Sequence, residues 1–333
     1  MTGRVTMSDV AREAGVSLMT VSRVVNNKGE VSPVTRQRVL EIIERLGYRP
    51  SGIARGLATK RTGTLGLVVP DVANPFFAEV ALGAEHVAYA EGYNVFLCNT
   101  EEDTRRELRV LASLEEKRVD GVVVCSSRLD DDELQAAVSR HPAVVLVNRR
   151  LDVDGLGVVL SDDELGGQLA TQHLLQAGHR TVAFLAGPAT SHSGRQRAAG
   201  YRAALAVAGV PYNPGWVRHC MPVVAGGQEA ARTLLAAHPN VTALFCYNDL
   251  VAVGALQACT TLGRRVPGDL AVVGFDDIPL AALVTPALTT CHVPRYDLGA
   301  QAMGLLLAQV QGGAKQSAAI VLQPELIVRE SAP

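Results

Sequence analysis

The sequence is poor in aromatic residues and lacks the motifs of most catalytic and metal-binding proteins. Aromatic side chains make up 4% of its 333 residues, and there is a single tryptophan. The six cysteines contain no C-x-x-C pair, and the eight histidines are scattered. No nucleophile elbow, P-loop or dinucleotide-binding glycine motif occurs. These absences predict a protein that is not an enzyme and that holds no cofactor and no metal.

The cysteines and the hydrophobic runs also bear on the cellular location. Most of the cysteines lie in apolar stretches, as expected for buried free thiols in a reducing compartment. There is no signal peptide and no apolar run long enough to cross a bilayer. The sequence therefore predicts a cytoplasmic protein without a membrane partner.

Positive charge is concentrated at the N-terminus. Residues 1–61 contain 11 Lys and Arg against 5 Asp and Glu, a net charge of +6. Residues 62–333 contain 20 against 28, a net charge of −8, so the formal charge of −2 for the chain hides this division. Because a polyanion attracts the first segment and repels the second, the asymmetry predicts nucleic-acid binding through the N-terminal segment alone.

Residues 6–26 have the pattern of a helix-turn-helix. Apolar residues recur at helical spacing up to Ala14, Gly15 allows a tight turn, and Ser17 can cap a second helix. That helix extends to about Asn26 and turns short polar groups and Arg23 outward, where they can reach base edges and phosphates. The alternative is an ordinary helical hairpin within a larger core.

A third helix and a linker complete the N-terminal segment. Ser32 can cap a helix with Pro33 in its first turn, and Gly47 ends that helix. Pro50 and Gly52 then mark a linker, whose basic segment is too short to form a stable helix alone. We interpret this segment as one that folds when bound to DNA, with a plain flexible linker as the alternative.

From about residue 64, apolar runs of strand length alternate with helical patterns. The runs cover 65–69, 94–98, 121–125, 143–147, 181–185, 243–246 and 270–274, and a final strand covers 320–330. Continuous apolar strands separated by helices predict parallel sheets covered on both faces. Because the pattern begins twice, at 63 and at 179, it predicts two doubly wound lobes with a cleft between them.

Open parallel sheets bind ligands beyond the carboxyl ends of their strands, so the residues that follow the runs are the candidate ligand site. They combine planar hydrogen-bonding groups with aromatic rings, a set that suits a polyol such as a sugar. The candidates are Asp71, Asn74, Phe77, Ser126, Asn148, Arg197, Asn248 and Asp276. Neighbouring Phe76 can instead be core. Asp249 and Asp277 can cap the following helices, and for Asp249 the cap is the preferred interpretation.

Several segments resemble the head and hinge of the lactose/galactose repressor (LacI/GalR) family. They are residues 5–17, 20–26, 47–50, 54–62 and 65–77, and the similarity extends over nearly the whole chain. The resemblance implies an all-α helix-turn-helix head followed by an α/β body of two doubly wound, periplasmic-binding-protein-like lobes. We expect a DNA-binding domain at 1–49, a hinge at 50–63 and an effector-binding and dimerisation domain at 64–333.

The resemblance also implies how DNA is contacted. Hinge helices of two subunits would pair and insert Leu57 into the minor groove, and the base-reading positions fall on Leu18, Met19 and Arg23. Arginine suits guanine, whereas Leu and Met offer only apolar contacts and depart from the commoner small or polar residues. The predicted DNA-binding residues are Thr6, Ser17, Leu18, Met19, Thr20, Ser22, Arg23, Asn26, Ser32, Thr35, Ala54 and Leu57.

The function implied is that of a homodimeric transcriptional repressor on a pseudo-palindromic operator, controlled by a sugar or sugar derivative. By position, the family's ligand contacts fall on Phe77, Asn148, Arg197, Asn248 and Asp276. One alternative is a catabolite-control-type regulator that uses a phosphoprotein co-regulator. Another is a solute-binding protein, which would need no basic head. The sequence leaves the sign of the effector's action open, although a sugar-type cleft favours an inducer.

Overall fold

The computed structural model describes residues 5–26, 29, 31–49, 61–312 and 319–333. The chain divides into two compact units, Met1–Thr62 and Gly63–Pro333. Ala54 and Leu57 of the predicted hinge lie outside the described residues. Within the described ranges, every helix is too short or too polar to cross a membrane.

The first unit contains three helices, α1 (Met7–Ala14), α2 (Leu18–Val25) and α3 (Pro33–Leu46). Their inward faces form a small apolar core of their own. Gly15 and Gly47 end α1 and α3 with φ angles of 64° and 62°, a left-handed backbone that glycine adopts without strain. The helix-turn-helix and the third helix predicted from the sequence are confirmed.

The first lobe of the second unit is a six-stranded sheet covered by helices. Its strands are β1 (Thr64–Val69), β2 (Asn94–Asn99), β3 (Gly121–Cys125), β4 (Val144–Val147), β5 (Gly157–Ser161) and β11 (Ala319–Leu322). Its helices are α4 (Pro75–Ala90), α5 (Thr104–Glu116), α6 (Asp131–Val138) and α12 (Arg295–Val310). The strand order is β11-β5-β4-β3-β1-β2, with every pair parallel.

The second lobe repeats this plan. Its strands are β6 (Val182–Ala186), β7 (Val217–His219), β8 (Ala243–Cys246), β9 (Ala271–Asp276), β10 (Thr289–His292) and β12 (Glu325–Ile327), in the order β12-β10-β9-β8-β6-β7. Its helices are α7 (Asp163–Gln176), α8 (His192–Val207), α9 (Val224–Ala237), α10 (Asp249–Thr261) and α11 (Leu280–Leu283). The two-lobed α/β body predicted from the sequence is therefore confirmed.

The single final strand predicted over 320–330 is wrong. The chain forms β11 in the first sheet and β12 in the second, and Pro324 lies between them. Proline has no N–H with which to continue a ladder, so the strand ends there. β12 pairs antiparallel with β10, which makes the second sheet mixed rather than purely parallel. β5, β7 and β10 were not predicted from the sequence.

Three pairs of helices in the second unit cross where glycines face the partner backbone. A Cβ atom on Gly83 of α4 or on Gly299 of α12 would lie 2.1 Å or 1.9 Å from a carbonyl oxygen of the other helix. The corresponding pairs are Gly167 and Gly200 between α7 and α8, and Gly227 and Gly254 between α9 and α10. These glycines allow the helices to approach closely, which explains glycine within helices where it is otherwise unfavourable.

The substitution Gly299→Ala is expected to lower the free energy of unfolding by about 1–3 kcal/mol, because the new methyl group overlaps a backbone oxygen that cannot move alone. Gly304→Ala in the same helix is the matched control, since a Cβ there meets no atom within 4 Å. The control should be neutral, or stabilise by up to about 1 kcal/mol through helix propensity. Urea unfolding followed by far-UV circular dichroism measures both, and equal stabilities would contradict the packing argument.

Candidate functional site

The leading turn of α2 presents an unusual pair of apolar side chains. Leu18 and Met19 are 51% and 65% exposed, whereas Val21 and Val24 on the inner side of the helix are buried. Arg23 is half-buried on the same helix. Two adjacent large apolar residues on the surface of a small basic unit indicate an interaction surface, because single exposed apolar residues are common but clusters are not.

The predicted hydroxyl residues lie at helix N-termini. Thr6, Ser17 and Ser32 are the N-caps of α1, α2 and α3, and each accepts a backbone N–H of its own first turn. The hydroxyls of Thr20 and Thr35 lie 2.9 Å from those of Ser17 and Ser32. Helix N-termini carry unpaired N–H groups and a positive dipole end, so these positions favour phosphate oxygens.

The remaining predicted polar residues of α2 interact with each other. Asn26 donates its amide nitrogen to the carbonyl oxygen of Ser22 at 2.9 Å and to the Ser22 hydroxyl at 3.3 Å. Both residues are half-buried. Asn26 is therefore held against the C-terminal end of its own helix.

All eight residues predicted to bind a ligand line one cavity between the two lobes of the second unit. The space around these residues is about 410 Å³ when open solvent is included, and the enclosed room for the centre of a water-sized molecule is about 20 Å³. The first lobe contributes Asp71, Asn74, Phe77, Ser126 and Asn148, and the second lobe contributes Arg197, Asn248 and Asp276. The structure thus brings the predicted residues together, and their role in binding a ligand stays a prediction.

Arg197 is the centre of the second-lobe wall and is almost fully buried. Its Nε atom donates to Asp163 at 2.8 Å, and Nη1 donates to the carbonyl oxygen of Tyr247. Nη2 lies 3.7 Å from a carboxylate oxygen of Asp276. The guanidinium plane also lies over the ring of Phe275, 3.6 Å from its centroid. Among the described residues that line the second-lobe wall, Arg197 is the only cation, and these contacts fix the orientation of its guanidinium group.

Asp276 is a buried carboxyl whose pKa lies close to neutral pH. Burial raises its pKa to about 7, although the charges of Arg197 and Arg295 lower it. Arg295 donates to the carbonyl oxygens of Asp276 and Asp277, and it also forms an ion pair with Glu79 of α4 at 2.7 Å. The loop that carries Asp276 is therefore tied to a helix of the other lobe.

Left-handed backbone outside glycine is concentrated at this cavity. Of the residues described, seven other than glycine have positive φ, and four of these line the cavity: Glu102, Ser126, Asn148 and Asp276. Glu101 and Asp277 adjoin two of them, and Arg118 lies elsewhere. Such conformations cost about 1–3 kcal/mol each and are found mostly at functional sites, so their grouping supports a ligand site.

The three predicted asparagines divide their hydrogen-bonding groups between the protein and the cavity. The side-chain oxygens of Asn74, Asn148 and Asn248 each accept a backbone N–H at 2.9–3.0 Å. Asn248 also donates its amide nitrogen to the carbonyl oxygen of Pro222 at 3.3 Å. In the described part of the chain, the amide nitrogens of Asn74 and Asn148 have no protein acceptor, so these two remain the better ligand donors.

Six residues that line the cavity lie outside the predicted set: Phe76, Glu102, Arg128, Ser193, Pro222 and Tyr247. Of these, the sequence pointed only to Phe76, as a residue that can be core. The Ser193 hydroxyl is buried and has no hydrogen-bond partner among the described residues, which marks it as a candidate to bind a ligand hydroxyl. Glu102 and Arg128 lie three residues beyond the ends of β2 and β3, at positions where no candidate was selected from the sequence.

The cap interpretation of Asp249 is wrong. Asn248 has the extended backbone of an N-cap and caps α10, while the Asp249 carboxylate accepts the backbone N–H of Ile278 at 2.8 Å. Burial raises the pKa of Asp249 well above its usual value. Asp277 forms an ion pair with Arg329 at 2.7 Å instead of capping a helix. Both carboxylates hold the loop that carries Asp276, and neither lines the cavity.

The cysteines are free thiols, as predicted, and four of the six are buried. Burial raises the pKa of Cys125 to about 12, so this thiol stays protonated at neutral pH. Within the described ranges, no three His, Cys, Asp or Glu side chains are grouped so that they could hold a metal ion.

Two family models match this chain. Residues 6–51 match "Bacterial regulatory proteins, lacI family", and residues 62–330 match "Periplasmic binding proteins and sugar binding domain of LacI family". The ribose operon repressor of Halalkalibacterium halodurans is 37% identical, over 98% of this chain and 96% of that protein.

Solved structures give the same result. The lac repressor dimer bound to operator and the anti-inducer ONPF has a TM-score of 0.86 and 29% identity, with 99% of both chains covered. The complex of the transcriptional regulator CelR with cellobiose has a TM-score of 0.75 and 34% identity, with 98% of this chain and 100% of that chain covered. The similarity thus includes both compact units.

Proposed function

The chain belongs to the LacI family of bacterial regulatory proteins, and from this premise we propose that it is a transcriptional repressor whose operator affinity is set by a small carbohydrate in the lobe cleft. One observation carries the proposal that the cleft binds a ligand. Eight residues chosen because they follow strands all line the same cavity. The family members are transcriptional regulators, and we propose no catalytic activity for this chain.

The DNA half of the proposal rests on the first unit. Three helix N-termini carry hydroxyl caps suited to phosphates, and α2 presents Leu18, Met19 and Arg23 as base-reading residues. Leu18 and Met19 would contact thymine methyl groups, and Arg23 would bind the O6 and N7 atoms of guanine. Because the proposed target is chromosomal DNA, the proposed site of action is the cytoplasm.

We propose a homodimer as the working unit. β2 is the edge strand of the first sheet, and its Phe96 and Leu97 are 45% and 50% exposed. The adjacent α4 exposes Leu82 and Tyr89, seven residues apart and so on one helix face. An exposed apolar edge strand needs a cover, and the similar lac repressor is a dimer on its operator. A second copy of this chain fits that requirement.

The helix α4 can link the ligand cavity to this proposed dimer face. Its N-terminal turn carries Asn74 and Phe77 in the cavity wall, and its later turns carry Leu82 and Tyr89. Arg295 ties the same helix, through Glu79, to the loop of Asp276 in the second lobe. A ligand that draws the lobes together would therefore shift α4 at the interface, and couplings of about 1–3 kcal/mol are typical of such systems. We propose that the ligand acts as an inducer.

Arg149, which adjoins Arg150 in the sequence, is a cation of the kind that a phosphoprotein co-regulator would need. Arg149 is buried, and its guanidinium is bound to Asp131 at 2.6 Å and to the carbonyl oxygens of Leu129 and Arg150. A phosphate would have to displace these partners. The small-ligand proposal is therefore the stronger of the two.

The proposal is tested in two steps with the full chain. Selection from random DNA duplexes should yield a pseudo-palindromic site. Thermal-shift screening against neutral sugars should yield a stabilising ligand. At about 100 times its Kd, such a ligand raises the free energy of unfolding by about 2.7 kcal/mol. The ligand should then release the protein from the selected duplex. Selection without a consensus would refute the DNA half, and a ligand that binds without changing duplex affinity would refute the coupling.

Sugar binding is expected to weaken by about tenfold from pH 8 to pH 6, because Asp276 must be ionised to accept a sugar hydroxyl and its pKa is about 7. The sign follows from the raised pKa, since the carboxyl gains its proton as the pH falls through 7. Calorimetric titration across this window measures the effect. Asp276→Asn should bind more weakly and with little pH dependence, whereas a pH profile shared by both proteins would assign the titration to another group.

A further inference from the structure

The first-lobe wall of the cavity contains a buried ion pair that the proposed function does not use. Arg128 binds Glu102 through two donors, Nε and Nη2, and the second bond measures 2.9 Å. The two side chains are only 4% and 9% exposed, and both line the cavity. A bidentate pair in this position costs desolvation, so its presence inside a ligand cleft calls for a functional reason.

Further contacts hold the pair in a fixed orientation. Arg128 donates Nη1 to the carbonyl oxygen of Ser126 at 3.0 Å, and Glu107 accepts the backbone N–H of Arg128 at 3.1 Å. Tyr247 of the second lobe lines the same cavity. Glu102 has a φ angle of 57°, a left-handed conformation that residues other than glycine rarely adopt. The pair is therefore pre-organised at the junction of the two walls.

The described lining of the cavity holds more carboxyl groups than cations, and each cation already has a carboxylate partner. Its described lining contains two cations, Arg128 and Arg197, and three anionic groups, Asp71, Glu102 and Asp276. Each guanidinium already has a carboxylate partner, Glu102 for Arg128 and Asp163 for Arg197. A phosphate group would enter a buried space where no cation is left to neutralise it and where carboxylates repel it.

We propose that the Glu102–Arg128 pair is a specificity element that admits uncharged polyols to the cleft and rejects their phosphate esters. Glu102 cancels the charge of Arg128 while leaving hydrogen-bonding groups for hydroxyls. This inference rests on the proposed carbohydrate site and adds the charge class of its ligand. It assigns to Glu102 and Arg128 a role in ligand selection that the sequence analysis did not predict.

The test compares the wild-type chain with Glu102→Gln, which removes the negative charge beside Arg128 and keeps the shape. The probes are D-ribose with ribose 5-phosphate, D-glucose with glucose 6-phosphate, and inorganic phosphate alone, at pH 8. In wild type, each ester should bind at least about tenfold more weakly than its parent sugar, since like charges in a buried site are strongly unfavourable. Glu102→Gln should reduce or reverse that preference, and inorganic phosphate should raise the Tm of this variant only.

Glu229→Gln is the matched control. It removes a carboxylate from another bidentate arginine pair, Arg232 with Glu229 at 2.8 Å, which is exposed outside the cleft. This variant should behave as wild type with every probe. If Glu102→Gln does not fold, Glu102→Ala replaces it, because that variant also leaves Arg128 without its carboxylate partner. The comparison of sugars with their phosphate esters in the wild-type chain needs neither variant.

Two results would overturn the inference: a wild-type chain that binds an ester as well as its sugar, or a folded Glu102 variant that gains no affinity for phosphate. Both leave the proposed carbohydrate function intact. If none of the sugars binds, that function fails for these sugars. The inorganic phosphate comparison still decides the inference, because it needs no sugar.

Discussion

Removal of residues 1–61 is expected to abolish sequence-specific DNA binding, with a loss of at least about 10³-fold in affinity for the selected duplex. The removed segment carries a net charge of +6 and the remaining chain −8, so the truncated protein would repel the phosphate backbone. The apolar clusters of the second unit contain none of the residues removed, so this unit should stay folded. Fluorescence anisotropy with a labelled duplex measures the loss.

The substitution Arg23→Ala provides the graded comparison for this truncation. It changes one side chain of α2 and should cost about 5–150-fold in affinity, the range for loss of one bidentate base contact. Sugar binding should be unchanged in both proteins. Specific binding by the truncated chain within tenfold of wild type would overturn the assignment of the DNA-binding surface to the first unit.

Arg197→Ala is expected to lower the free energy of unfolding of the second unit by about 3–5 kcal/mol, because the carboxylates of Asp163 and Asp276 would stay buried without their counter-ion. A change of this size corresponds to a Tm lower by roughly 10 °C. Trp216, the single tryptophan, packs beside the second-lobe core, so its fluorescence during urea unfolding reports on this lobe. Sugar binding should be lost as well.

Arg232→Ala is the control for this stability prediction, since it breaks an ion pair whose side chains are 56% and 65% exposed. Its loss should be within about 1 kcal/mol. Burial raises the pKa of Asp276 to about 7 even with Arg197 present, so this carboxyl is protonated at pH 5 and the Arg197→Ala defect should shrink there. A defect as small as that of Arg232→Ala would show that Arg197 is not needed to neutralise these carboxylates.

The parts of this fold that were predictable were those with a local cause. Capping serines, left-handed glycines and apolar spacing are written in short stretches, so the three helices of the head could be identified directly. Buried strands such as β3 and β4 are continuous apolar runs. By contrast, β7 is a short, mostly exposed edge strand, and the last two strands belong to different sheets, which no local pattern reveals.

The candidate ligand site shows the same division. The eight predicted residues were chosen because they follow strands, and all of them line one cavity. They do so because the carboxyl ends of the strands of a parallel sheet lie at one edge. That rule could not assign tasks among them. Distances between segments far apart in the chain decide these tasks. They determine whether the amide of Asn248 faces a ligand or holds a loop, and whether Asp249 caps a helix or binds Ile278.

The sequence by itself determined the basic head, the helix-turn-helix, the alternation of strands and helices, and the candidate residues, since each is a property of composition or of local spacing. Only the tertiary structure decided which of these residues meet. The pairing of Arg128 with Glu102, the orphaned hydroxyl of Ser193 and the pKa of Asp276 all arise from burial and from long-range contacts between loops. Electrostatic energies depend on distance and on exclusion of water, and neither is encoded locally along the chain.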